Sequence, residues 1–191
     1  MKPLWLAIWM MVTNILIPVG MGMNSATEQK VSRREGGTGY LNKEVRHELV
    51  MLPYYTLFDW LQFEVKPDDS VVLMGQVTRP TLKSDAEGVV KRIEGVTAVV
   101  NQIEVLPLSP NDDRIRRAVY RALFSSNSPL FRYGLGAVPP IHIIVKNGNV
   151  TLKGVVDNQA DSNIANIKAN GVSGVFSVKN ELAIGGSRSK S

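Results

Sequence analysis

Residues 95–105 read GVTAVVNQIEV, and residues 174–184 read GVFSVKNELAI. Gly95 aligns with Gly174, Val96 with Val175, Val99 with Val178, Asn101 with Asn180 and Ile103 with Leu182, all at an offset of 79. A phrase written twice at one spacing marks an internal repeat, and a repeat constrains the architecture before any single element is assigned. Each phrase opens on a glycine that stops a helix and continues as the apolar alternation of a strand. Upstream the alignment holds without a gap through Gly75/Gly154, Val77/Val156 and Ala86/Ala165.

The first copy opens with a helix over residues 42–52, where Val45, Leu49 and Leu52 keep helical spacing. Strands follow over 61–66 and 71–77 around the turn residues Pro67, Asp68, Asp69 and Ser70, then a helix over 81–93 and a closing strand over 97–105. The second copy repeats the order: a helix over 114–124 capped by Asp112 and Asp113, a hairpin of strands 141–146 and 149–156 across Asn147-Gly148, a helix over 159–170 and a strand over 176–184. The hairpins are antiparallel, and the strand–helix–strand crossovers make the last two strands parallel. Each copy is thus predicted to be an α-β-β-α-β unit, a three-stranded mixed sheet covered on one face by two helices, and the whole an α+β protein of two tandem small units. Val71, Leu73 and Val77, like Val150, Leu152 and Val156, face the helices. Gly75 and Gly154 mark places where a helix or another backbone comes close, and Asn101 and Asn180 serve local backbone groups. The stretch LPLSPN separates unit one, residues 41–107, from unit two, residues 111–184.

Outside the repeats, residues 1–26 combine Lys2, a charge-free apolar run and small residues at Gly20, Gly22, Ser25 and Ala26, the pattern of a secretory signal peptide. The same run approaches the ~20 residues that span a bilayer, so a retained anchor is the alternative. Residues 27–40 read as a polar linker and 185–191 as a short disordered basic tail. With no cysteine, disulfides, thiolate metal sites, cysteine nucleophiles and acylated cysteines are all excluded. The net charge of +5 does not by itself separate nucleic acid from anionic lipid, but export points away from nucleic acid.

An α-β-β-α-β unit with a mid-strand glycine (Leu73-Met74-Gly75, Leu152-Lys153-Gly154), then a helix, then G-V-x-x-V-x-N-x-[IL], resembles the BON domain, named for bacterial OsmY and nodulation proteins. The resemblance covers about 145 residues and occurs twice. It implies a small non-enzymatic periplasmic protein connected with osmotic or envelope stress, and some relatives of this kind bind phospholipid. One group carries two such domains on an outer-membrane lipoprotein; this chain departs from it in having no cysteine to acylate. Membrane association would therefore rest on the folded surface or on the N-terminal segment.

Chemistry is sparse. His47 and His142 have no ligand partner at a metal-binding spacing, and no G-x-S-x-G, H-E-x-x-H or phosphate loop is present. No catalytic residue, metal or cofactor is predicted. The copies differ in charge: residues 41–107 hold 7 Lys+Arg against 10 Asp+Glu, and residues 108–184 hold 9 against 5. The imbalance suits docking of the units on one another, attraction of an anionic partner to unit two, or both. On the 114–124 helix, Ile115, Val119, Ala122 and Leu123 form the core side. Arg114, Arg117 and Arg121 share a flank, with Tyr120 and Phe124 pointing away from the core. The loop that follows is about nine residues longer than its counterpart and carries Leu130, Phe131, Arg132, Tyr133 and Leu135 before Pro139-Pro140. Arginines framing outward rings suit anionic phospholipid headgroups, which makes these ten residues the candidate lipid-binding set. The competing accounts are a solvated basic face and a loop sealing the hydrophobic core. A periplasmic chaperone or adaptor for envelope proteins, holding polypeptide through Phe131, Tyr133 and open sheet edges, is the alternative function.

Overall fold

The computed structural model describes residues 39–136 and 139–185. The signal segment of residues 1–26, and nearly all of the linker and the basic tail, lie outside the described residues. Unit one runs α1 (39–50), β1 (Trp60–Val65), β2 (Val71–Val77), α2 (Pro80–Val90), β3 (Val99–Asn101) and β4 (Glu104–Val105). β2 pairs antiparallel with β1 and parallel with both β3 and β4. Unit two runs α3 (Pro110–Phe124), a 3-10 turn (Phe131–Gly134), β5 (Ile141–Lys146), β6 (Asn149–Val156), α4 (Gln159–Asn170) and β7 (Ser177–Ile184). Its sheet order is β5-β6-β7, antiparallel and then parallel. The molecule is therefore the two-unit α+β protein that the repeat predicts.

Each unit has its own core between sheet and helices. In the first, Leu41, Val45 and Leu49 of α1 and Leu82, Ala86 and Val90 of α2 close over Val71, Leu73 and Val77. In the second, Ile115, Val119 and Leu123 of α3 and Ala165 and Ala169 of α4 close over Val150, Leu152 and Val156. The repeated asparagines tie helix to strand in both. Asn101 Nδ2 donates to Lys83 O (2.8 Å) and Asn180 Nδ2 to Ser162 O (3.0 Å), and each Oδ1 accepts a backbone amide two residues on.

Of the two neighbours expected at Gly75 and Gly154, a helix or another backbone, the structure has the backbone of the antiparallel neighbour. With φ of +123° and +119°, a Cβ there would stand 1.9 Å from the Trp60 and Pro140 carbonyl oxygens, respectively. The α3 helix starts earlier than predicted. Ser109 is its N-cap, accepting from Asp112 N (3.2 Å), with Pro110 in the first turn. Asp112 is buried and turns its carboxylate to the β5–β6 turn, accepting from Asn147 N and Gly148 N at 2.8 Å each.

Candidate functional site

The α3 helix presents the predicted basic flank. With Ile115, Val119 and Leu123 fully buried, Arg114, Arg117 and Arg121 lie exposed, and Tyr120 is 38% exposed beside them. Arg114 donates to Asn111 Oδ1 at 2.9 Å. Among the described residues, Arg117 and Arg121 have no ion-pair or hydrogen-bond partner. Arg121 also sits in the last turn, where a cation is favoured by the helix dipole.

The outward placement expected for Phe124, Leu130 and Tyr133 is corrected: all three are buried in the core of unit two. Phe124 lies at the helix end, and the long loop folds back over it. A Cβ on Gly134 would touch Phe124 Cβ and Cγ at 3.0 Å, so the loop backbone rests directly on that ring. Leu130 follows it into the core, its amide held by Ser128 Oγ. Tyr133 fastens the loop to the start of α4. Its hydroxyl donates to Asp161 Oδ2 (2.8 Å) and accepts from Asp157 N (2.8 Å). Burial is the main cause that raises the Tyr133 phenol, which keeps it a neutral donor. Arg132 is exposed, but its charge is already engaged, paired with Asp157 and Asp161 and stacked 4.6 Å over the Tyr133 ring. The loop is thus a strap across the core end, as the sealing account had it, and of its candidate apolar residues Phe131 (41%) and Leu135 (69%) remain outward. Tyr120 meets Phe124 at a ring-centroid distance of 5.3 Å, and Phe124 meets Gly134, so the buried Phe124 ring links the helix flank to the loop.

A second locus, absent from the sequence-based set, lies where the units meet. β5 is buried on both faces: Ile141, Ile143 and Val145 enter its own core, while His142 and Ile144 turn the other way. The segment between α1 and β1 covers that side. Ile143 N donates to Leu57 O (2.8 Å), Leu57 and Phe58 pack into the core of unit two, and His142 sits between Tyr55 and Trp60 at centroid distances of 5.7 and 5.0 Å. His142 Nδ1 lies 2.6 Å from Asp59 O; a carbonyl only accepts, so Nδ1 carries the hydrogen. Desolvation lowers the His142 pKa and, acting first among the causes at Tyr55, pushes that phenol up to about 12. The Asp59 carboxylate is fully buried and accepts from the amides and hydroxyls of Thr56 and Thr78. The two threonines thus satisfy the Asp59 carboxylate within unit one, and the His142 bond to Asp59 O crosses the joint, where Trp60 Nε1 is buried without a hydrogen-bond partner.

Among the described residues, no group of three or more His, Cys, Asp or Glu could hold a metal ion, and no helix is long and apolar enough to cross a membrane. The arrangement is suited to holding an anionic partner by charge and ring contacts. Comparison with known proteins gives the following likenesses. A family model described as "BON domain" matches residues 58–107 and again 111–186. The osmotically-inducible protein Y of Escherichia coli (strain K12) is 34% identical over 121 residues, which are 62% of this chain and 59% of that protein. The chain thus spans less than two thirds of that relative's length. Among solved structures, the C-terminal domain of CdsD, the structural protein of the type III secretion system of Chlamydia trachomatis, matches 75% of this chain and 96% of its own. Its identity is 13% and its TM-score 0.30, too loose a fit to carry a structural argument.

Proposed function

The chain belongs to the BON domain family, and from that premise we propose that it is a non-enzymatic bacterial envelope protein that binds anionic phospholipid through its second unit. Its similarity to an osmotically-inducible protein supports a part in osmotic or envelope stress, and the apolar run after Lys2 supports export to the periplasm. The observation that carries the lipid reading is the unpartnered, exposed Arg117 and Arg121 beside Tyr120, with Phe131 and Leu135 also exposed on the loop that follows the helix. Basic side chains near an anionic leaflet contribute about 1 kcal/mol each, and partly exposed rings and a leucine add interfacial contact.

Cosedimentation with vesicles tests this. Phosphatidylglycerol vesicles retain the protein, and phosphatidylcholine vesicles do not. Arg114→Glu with Arg121→Glu lowers retention about thirtyfold or more, at roughly 1 kcal/mol per charge removed. Equal retention by both vesicle types sinks the reading. The adaptor alternative loses the buried Tyr133 as a contact and keeps Phe131 and the open edge of β7. Suppressed aggregation of an unfolded client without vesicle retention would favour it.

A further inference from the structure

β7 (Ser177–Ile184) ends its sheet and, among the described strands, pairs with β6 alone, so its outer edge is open over 8 residues. An open edge of that length is a template for another strand unless something covers it. In unit one the corresponding stretch is broken into β3 and β4, of 3 and 2 residues. The surroundings of the β7 edge are apolar or uncharged. Phe176, just before the strand, is 86% exposed, and Ile184 at its end is exposed as well. The α4 helix packs on β6 and β7, and its exposed residues Gln159, Ala160, Asn163, Ile167 and Asn170 carry no charge. A solvated helix face is normally charged, and depletion of charge marks the centre of an interface.

The charges on the strand itself are Lys179 and Glu181, two residues apart and therefore on one face of the sheet. They select both the partner and the register. Around a two-fold axis normal to the sheet, a strand runs antiparallel to its own copy and the pairing centres on one residue. Centred on Lys179 or on Glu181, like charges meet at the axis, which is destabilising. Centred on Asn180, Lys179 lies opposite Glu181 of the second copy, Val178 opposite Leu182, and Phe176 opposite Ile184, each twice. Val178 and Leu182 already pack against the core of unit two, so this register continues that core across the axis. The Leu182 amide is donated to Asn180 Oδ1 at 3.2 Å and takes no part in the new ladder.

We infer that two copies of this chain associate through β7, in an antiparallel pairing centred on Asn180 that makes their two sheets continuous and sets the α4 helices side by side. The α3 helix packs over β5, at the far end of the sheet, so both α3 faces stay free.

Crosslinking of the full chain tests the pairing and its register together. The chain has no cysteine, so an introduced thiol reports alone. Ser177 and Ala183 are exposed, and in this register they lie opposite one another with Cα atoms ~4.5–5.5 Å apart, within disulfide reach. Mild oxidation of mixed Ser177→Cys and Ala183→Cys chains gives a linked dimer. Either variant alone does not, because its two thiols lie about 20 Å apart. Sedimentation velocity shows a monomer–dimer equilibrium, weakened about tenfold by Phe176→Asp, which loses two apolar cross-strand pairs. The thermal midpoint of that variant is unchanged when measured on dilute monomer, since the ring is exposed. Arg114→Glu with Arg121→Glu leaves the dimer intact while releasing the protein from vesicles, so dimer and membrane face fail independently. Three results would each overturn the proposal: a monomer at every concentration, linkage of either variant alone as fast as of the mixture, or a dimer indifferent to Phe176→Asp. Uptake of an unfolded client along β7 by a chain that stays monomeric would assign the edge to the adaptor reading instead.

Discussion

Alanine at three glycines should change stability in opposite directions, and the sign at each follows from its surroundings. Gly154 has φ +119°, a region open to glycine and closed to alanine, so the backbone strain alone costs about 1–3 kcal/mol. The new Cβ would sit 1.9 Å from Pro140 O, more than an ångström inside an ordinary carbon–oxygen contact of about 3.3 Å. Both are main-chain positions, so relief means lifting the start of β5 from β6 and losing the Val155 N to Pro140 O hydrogen bond, a further ~1 kcal/mol. The sum is about 3 kcal/mol, a large share of the 5–15 kcal/mol typical of a domain. At roughly 2–4 °C per kcal/mol, calorimetry should show a midpoint about 6–12 °C lower. Gly75→Ala should match it, because its Cβ meets Trp60 O at the same 1.9 Å and its φ is +123°. Gly88 sits inside α2, and its added Cβ would have only Arg92 Nη1 nearby, at 3.7 Å. Gly88→Ala should therefore raise stability by about 1 kcal/mol. An unchanged midpoint for Gly154→Ala, or a fall for Gly88→Ala comparable to it, would refute the reasoning.

Two further outcomes concern buried polar groups. His142 is held neutral by burial, against the opposing pull of the Asp59 carbonyl and carboxylate, so its pKa in the folded protein lies below that in the unfolded chain. The unfolded state then binds the proton first. The His142 contribution is fully present above the unfolded value of about 6.5 and is lost as pH falls from there toward the folded pKa. Urea midpoints should drop between pH 7.5 and 5.5, and His142→Gln should flatten that slope; parallel slopes would exclude His142 as its source. Asp112→Ala should cost about 2–3 kcal/mol, since it removes both acceptors of the Asn147 and Gly148 amides, one of them buried. Asp112→Asn should recover part of the loss, and a urea midpoint for Asp112→Ala equal to that of the unsubstituted chain would deny the carboxylate this role.

Local periodicity made most of the fold readable. The β2, β5, β6 and α4 spans follow from alternation, from Asn147-Gly148 and from helical spacing, and they begin and end where the pattern does. Misreadings arose where a distant segment decided the outcome. Ser109-Pro110 is a helix start, but within LPLSPN it reads as linker, and the local pattern points to Asp112-Asp113 as the cap instead. Phe124 points away from the core side of a bare α3, and no wheel of that helix shows Gly134 returning over its ring. The pairing of Arg132 with Asp157 and Asp161 likewise spans 25 and 29 residues. The β5 strand carries a local signal of its own: it reads IHIIVK, with no alternation, which is how a strand covered on both faces is written. Arg116 follows Ile115 directly and borders the core side, yet nothing local distinguishes it from its exposed neighbours Arg114 and Arg117.

Opposite net charges suggested that the copies dock by attraction, but the joint is held by other means. Among the described residues, Lys146–Glu104 is the ion pair that crosses between the units, with side chains 45% and 39% exposed. Exposed pairs of this kind contribute about 0–1 kcal/mol. The crossing contacts that bury area are apolar and ring contacts: Leu57 and Phe58, half-buried against the core of unit two, and His142 between Tyr55 and Trp60. They come from the α1–β1 segment, outside the stretch that aligns without a gap. The repeated part of the sequence thus builds two similar cores, and the segment outside it makes the copies unequal by closing the exposed edge of β5. Because so little charge is used in the joint, the positive excess of unit two remains available on α3.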